Sequence, residues 1–176
     1  MINKNKHLRF AGAIISIVLV VGGLIYQQEK ILQEGSMTIL ETRPVDPRDL
    51  FRGEYVILRY AIENDEKIQE EVAKLKAGDT LFIKLVEDEN GVASVSGVSD
   101  RSPDSFEGLW IAGEINGGRV RFPSLEQFYV PEGAGRSIED FRSDLHVEVV
   151  LNKGEARVVG LLDGSLNKID PESFLE

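Results

Sequence analysis

The sequence predicts a mainly β protein: an N-terminal transmembrane helix followed by a small antiparallel β-barrel or sandwich-like domain with one short amphipathic helix. Three observations carry this. Phe10 to Tyr26 is an apolar run without a formal charge. Beyond Thr80, short apolar segments alternate with turn residues, a pattern of strands and tight turns. Between them, Ile68, Val72 and Leu75 recur at near-helical spacing.

The apolar run would span about 26 Å as a helix, close to the lower limit for a bilayer core. Lys4, Lys6 and Arg9 precede it without an acid, whereas Gln27-Gln28-Glu29-Lys30 follows with no net charge. The positive-inside rule then places residues 1–9 in the cytoplasm, the anchor at 10–26, a juxtamembrane helix at 27–35 and an extracytoplasmic β domain at 36–176. Gly35 is the expected C′ stop of that helix. The competing readings are a cleaved signal peptide, which the segment end Gly-Gly-Leu-Ile-Tyr disfavours, and a buried core helix, which the lopsided charge disfavours.

Met37 to Thr42 alternates as a first strand. Val45 to Gly53 reads as a punctuated helical corner: Asp46 as N-cap, Pro47 at N1, Asp49 at N3, Val45 and Leu50 as a hydrophobic staple, Arg52 in the last turn and Gly53 at C′. Glu54 to Ile62 then alternates as a strand, with Val56, Leu58, Tyr60 and Ile62 on one face and Tyr55, Ile57, Arg59 and Ala61 on the other. Asn64 or Asp65 caps a helix running to Lys76 and ended by Gly78. Three hairpins follow. Leu81–Val86 and Val92–Val98 flank Asn90-Gly91, Leu109–Ile115 and Arg119–Phe122 flank Asn116-Gly117-Gly118, and His146–Leu151 and Ala156–Leu161 flank Asn152-Lys153-Gly154. Asp100 to Phe106 reads as a surface loop and Asp163 to Glu176 as a polar tail.

Composition limits function. Lys and Arg number 20 against 30 Asp and Glu. Residues 27–176 keep 17 of those cations and all 30 acids, a net charge of −13, which repels nucleic-acid phosphates. Cysteine is absent, so disulfides, thiolate catalysis and cysteine zinc sites are excluded. No cofactor is expected. Asp88-Glu89-Asn90-Gly91 lacks the later bidentate Glu of a calcium loop and reads as a hairpin turn. His7 falls in the expected cytoplasmic tail, which leaves His146 as the ectodomain's one imidazole, outward beside Glu148.

Two stretches stand out as candidate binding residues. The first carries Arg43, Arg48, Arg52 and Arg59 among Asp46, Asp49 and Glu54, with Tyr55 and Tyr60 on the following strand. Guanidinium groups suit bidentate recognition of carboxylate or phosphate, while the competing reading pairs these arginines with the three local acids. The second, Phe122 to Arg136, offers Glu126, Tyr129, Glu132 and Arg136, which would converge with the first stretch on a cleft. The competing reading there is a turn whose aromatic residues pack the barrel end. An enzyme alternative also exists: Ser36 directly after the membrane segment and Lys84 on a strand are loosely similar to the Ser-Lys pair of signal peptidases, with burial lowering the lysine's pKa.

Gly53-Glu54-Tyr55-Val56-Ile57-Leu58-Arg59-Tyr60 resembles the signature of the GDYXXLXY family, with Glu54 where that signature has Asp. Arg43-Pro44-Val45-Asp46-Pro47-Arg48-Asp49 is similar to the family's lead-in, and Tyr129-Val130-Pro131-Glu132-Gly133-Ala134-Gly135 resembles a second family stretch. The resemblance implies a membrane-anchored bacterial protein, associated with a multi-spanning membrane partner, and brings no reaction with it. The expected function is accordingly an accessory or binding module that docks a membrane protein, with a membrane-bound Ser-Lys peptidase or a small-anion-binding domain as alternatives.

Overall fold

The structure, a computed structural model, describes residues 4–43, 55–131 and 144–174. The helical corner expected over Val45–Gly53 therefore lies outside the described residues.

One continuous helix, α1 (Lys4–Glu34), joins the apolar run to its juxtamembrane continuation. At 1.5 Å per residue it is about 46 Å long, longer than a hydrocarbon core of about 30 Å. Its last turns dock on the domain through Ile31, which is buried. Gly35 ends the helix, but it is not among the residues at positive φ. A Cβ there would lie 2.5 Å from the Ile31 carbonyl oxygen and 2.9 Å from that of Leu151. Close approach of the helix end to the sheet, not a left-handed cap, is what requires glycine at this joint.

The domain is built from two curled four-stranded antiparallel sheets and a two-stranded ribbon. The first sheet has the order β1 (Ser36–Glu41), β8 (His146–Asn152), β9 (Glu155–Leu162), β10 (Lys168–Ile169). The second has the order β4 (Ala93–Ser99), β3 (Thr80–Glu87), β5 (Leu109–Asn116), β6 (Arg119–Arg121). The sheets form half-barrels that touch at two isolated parallel bridges, Ile39 to Val92 and Ile111 to Gly154. The Ala112 N–H donates to the Gly154 carbonyl at 2.8 Å across the second of these. Leu40, Leu81, Ile83, Ile111, Val147, Val149 and Leu161 are fully buried between the sheets, as the period of two requires of inward positions.

The ribbon pairs β2 (Tyr55–Ile57) with β7 (Gln127–Tyr129). The strand expected over Glu54–Ile62 is thus shorter. Its alternation still governs burial, because Val56, Leu58, Tyr60 and Ile62 are all in the core. Past Ile57 the chain bridges Thr42 through Tyr60 and folds into a 3₁₀ turn, Ala61–Asn64. Asp65 caps α2 (Glu66–Val72) by accepting the Lys67 N–H at 2.9 Å. That helix stops four residues before Lys76. Lys74 and Leu75 donate to carbonyls three residues back, and Gly78, at φ +93°, donates to Ile115 on β5. Attachment to β5 ends the helix before its apolar pattern does.

The three hairpins form as expected, with one difference in turn chemistry. Gly117-Gly118 and Lys153-Gly154 have positive φ at both positions and make two-residue turns. In the β3–β4 hairpin Gly91 has positive φ and donates to Asp88, so Glu89-Asn90-Gly91 is a three-residue loop with glycine in the left-handed position. The Asp88 carboxylate selects this loop by accepting the Asn90 and Val92 N–H groups at 2.8 and 2.9 Å. Bonds from Val92 and then Asn90 hold its pKa below the ordinary carboxylate range. Its contribution to stability is then fully present above the unfolded value of about 3.9 and lost as pH falls through the lowered folded value. Asp88→Asn should remove this acid sensitivity, read as loss of a low-pH shift in the Val92 amide resonance. A shift that persists in the variant would assign the transition to another carboxylate.

The segment expected to be a polar tail returns to the sheet. Asp163 closes a turn by accepting the Ser165 and Asn167 N–H groups, Leu166 takes φ +63°, and β10 pairs with the end of β9, burying Ile169.

Candidate functional site

The two stretches singled out in the sequence are neighbours. Tyr55, Val56 and Ile57 pair in antiparallel register with Tyr129, Phe128 and Gln127. Leu58 N–H donates to the Glu126 carbonyl at 2.9 Å, and the Tyr60 hydroxyl donates to the Leu125 carbonyl at 2.8 Å. Phe122 meets the Tyr60 ring edge-on at 6.2 Å. Within the second stretch, for which a turn is the competing reading, Pro123–Leu125 is a 3₁₀ turn and Gln127–Tyr129 is a strand, because β2 offers it a ladder. Tyr129 does not pack the barrel end: it is 72% exposed and lies edge-on to Tyr55 at 6.0 Å.

The described arginines of the first stretch pair with distant acids. Arg43 Nη2 lies 3.0 Å from Glu63 Oε2. The other carboxylate oxygen of Glu63 accepts the Tyr60 N–H at 3.1 Å, and this acid is almost completely buried. Arg59 Nη1 lies 3.1 Å from Glu126 Oε1, with Arg121 Nη1 at 3.6 Å from the same oxygen. Glu126 thus ties the two stretches by side chain as well as by backbone. Asp46, Arg48, Asp49, Arg52, Glu54, Glu132 and Arg136 lie outside the described residues.

Lys84 is exposed, not buried. Its neighbours Ile83 and Leu85 point into the core, so the period of two turns Lys84 outward, where its Nζ sits 5.7 Å above the Trp110 ring. Ser36 opens β1, paired with Leu151 of β8, in a different sheet from Lys84. The burial expected of Lys84 is not found. His146 Nδ1 lies 3.0 Å from the Asp144 carbonyl. Among the described residues no group of three or more His, Asp and Glu is placed to hold a metal ion.

A groove follows the outer side of β9. At one end it is lined by Lys30, Ile31, Lys153 and Glu155. In the middle come Ala112, Ser124, Ala156 and Arg157, and at the far end Gln127, Phe128, Tyr129 and Val158. It runs from the foot of α1 to the exposed tyrosine of the β2–β7 ribbon. Arg157 and Glu63 are the residues the sequence reading passed over. The only sequence signal at Arg157 is a cation on the outward phase of an apolar strand, and Glu63 stands just beyond the signature alternation.

No curated protein and no solved structure matches the chain. The family model described as GDYXXLXY protein matches residues 17–161, which run from within α1 through the ribbon and both half-barrels except β10 and the last residue of β9. On that match, and on the paired stretches that carry the signature, the chain belongs to the GDYXXLXY family.

Proposed function

We propose that this chain is a membrane-anchored docking module. Its N-terminus is cytoplasmic, α1 crosses the bilayer, and the β domain outside docks a multi-spanning membrane protein through the helix and the domain face at the helix foot. The observation that carries this reading is α1 itself. Gly12–Glu34 has a window of mean hydropathy 1.5, none of it buried against the domain. A surface of that kind is stable only in lipid or against another apolar helix. Lys4, Lys6 and Arg9 before the apolar run favour the cytoplasmic side for that end.

A docking role is supported over the alternatives by the side chains. Arg43 and Arg59, candidates for anion binding, are engaged by Glu63 and Glu126. Ser36 and Lys84 belong to different sheets, and Lys84 stacks on Trp110.

Two measurements in native membranes test it. A cysteine at Ser102, in the exposed loop after β4, is expected to react with a membrane-impermeant thiol reagent in intact spheroplasts. A photo-crosslinking residue at Leu19, an exposed position of α1, is expected to capture one integral membrane protein reproducibly. Labelling of Ser102→Cys only after lysis would overturn the orientation, and crosslinks to lipid alone would overturn the docking role.

A further inference from the structure

The groove along β9 is flanked by two strand edges that have no partner among the described residues. Asn152 and Glu155 flank a two-residue turn and exchange hydrogen bonds, so the alternation of an antiparallel ladder turns the next pair, Leu151 and Ala156, outward, and likewise Val149 and Val158. On β8 those outward groups are met by β1, where Ser36 and Thr38 stand opposite Leu151 and Val149. On β9, β10 covers only Leu161 and Leu162. The outer N–H and C=O groups of Ala156 and Val158 have no partner among the described residues. The same alternation holds in the ribbon. Leu58 bonds to Glu126, which makes Gln127 and Tyr129 the residues of β7 whose backbone groups turn away from β2. Gln127, Tyr129 and Val158 line the same stretch of groove.

We infer that this slot binds an extended polypeptide segment of the docked partner by β-strand addition, completing the order β8, β9, added strand, β7, β2. The inference rests on the docking reading for the source of that segment. Backbone complementarity identifies the ligand as a strand, because outward amide and carbonyl groups of β9 and β7 without partners among the described residues line one groove, together with Pro123 and Ser124, and suit an extended chain. The side chains identify its composition. Phe128 and Val158 are half-buried apolar residues packed on the core from the two edges, leaving their outer surfaces for an apolar side chain to cover. Arg157, on the opposite phase of β9, lines the groove without an ion-pair partner among the described residues of an acidic domain. A strand adds its side chains with a period of two, so the complementary segment alternates apolar residues with acidic ones, the acid meeting Arg157.

The test uses the full chain in detergent micelles and a synthetic ten-residue peptide of alternating valine and glutamate. The peptide is expected to bind about tenfold or more tightly than its valine and lysine counterpart. Arg157→Glu is expected to reverse that preference. N-methylation of two residues along one edge of the peptide, which leaves the protein untouched, is expected to weaken binding about tenfold or more by removing two backbone bonds. Amide exchange at Val158 and Gln127 should slow when the unmodified peptide is bound. Equal binding of the N-methylated peptide, no preference for glutamate over lysine, or protection confined to other strands would each overturn strand addition. If the peptide fails while the Leu19 crosslink still captures a membrane protein, the docking role stands and strand addition falls. If the peptide pairs in the slot while the anchor captures only lipid, strand addition stands and the docking role falls.

Discussion

Replacing Tyr60 by alanine is expected to lower the unfolding free energy by about 3–5 kcal/mol, the range for truncating a large buried aromatic residue. Tyr60 is 1% exposed and holds together three parts of the domain. Its backbone bridges Thr42 at the end of β1, its ring packs edge-on against Phe122 after β6, and its hydroxyl satisfies the Leu125 carbonyl before β7. Truncation opens a cavity and strands that carbonyl in one step. Tyr60→Phe keeps the ring and removes only the hydroxyl, which should cost about 1–3 kcal/mol for the unsatisfied acceptor. Urea unfolding of the full chain in detergent, followed by the fluorescence of the single tryptophan, Trp110, measures both. A loss below about 1 kcal/mol for the alanine variant would mean that the two signature stretches are not joined through this residue.

Tyr60 also predicts behaviour in alkali. Burial first, then the charges of Glu63 and Glu126, push its phenol well above the ordinary tyrosine value. Its contribution to stability is therefore fully present below the unfolded value of about 10 and lost as pH rises through the raised folded value. Tyr60→Phe, already weakened at neutral pH, should lose less further stability between about pH 9 and 11 than the parent chain.

Arg43→Met is expected to cost about 2–3 kcal/mol, and this result separates the structural role of that arginine from an anion-binding one. Removing one partner of a buried pair leaves the other charge without compensation, which in full burial costs about 3–5 kcal/mol. Glu63 is 4% exposed and Arg43 29%, so water partly relieves the loss. The buried Nε of Arg43 has no hydrogen-bond partner among the described residues, which further lowers the net worth of the pair. Adding Glu63→Gln should recover part of the loss, giving a coupling energy of about 1 kcal/mol or more in a double-mutant cycle. An anion site would behave differently, with stability nearly unchanged and phosphate binding abolished. That outcome would return Arg43 to the list of recognition residues.

The legible part of this fold followed from short-range chemistry. Glycine and asparagine punctuation announced the three hairpins because positive φ is a local requirement, and alternation announced which residues of each strand face inward because the pleat has a period of two. The same alternation, applied to Lys84, already placed it opposite its buried neighbours Ile83 and Leu85, yet its expected role as a base required it to be buried. The ends of elements were less legible. The apolar pattern continues past Ile57 and past Val72, but a bridge to Thr42 in one case and attachment to β5 in the other end the regular element there.

By itself, then, the sequence determined the class of the protein: an apolar helix ahead of an antiparallel β domain, the inward faces of its strands, its turns, and the family signature. The tertiary structure decided the partners. That Arg43 meets Glu63 and Arg59 meets Glu126, that Gln127–Tyr129 is a strand and not a turn, that β10 returns to the sheet, and that β9 and β7 line one groove all depend on which segments lie side by side. Local preference acts over a few residues, whereas these contacts, the short return of β10 to β9 apart, join positions 20 to more than 60 apart, and their geometry exists only once the half-barrels have closed on a shared core.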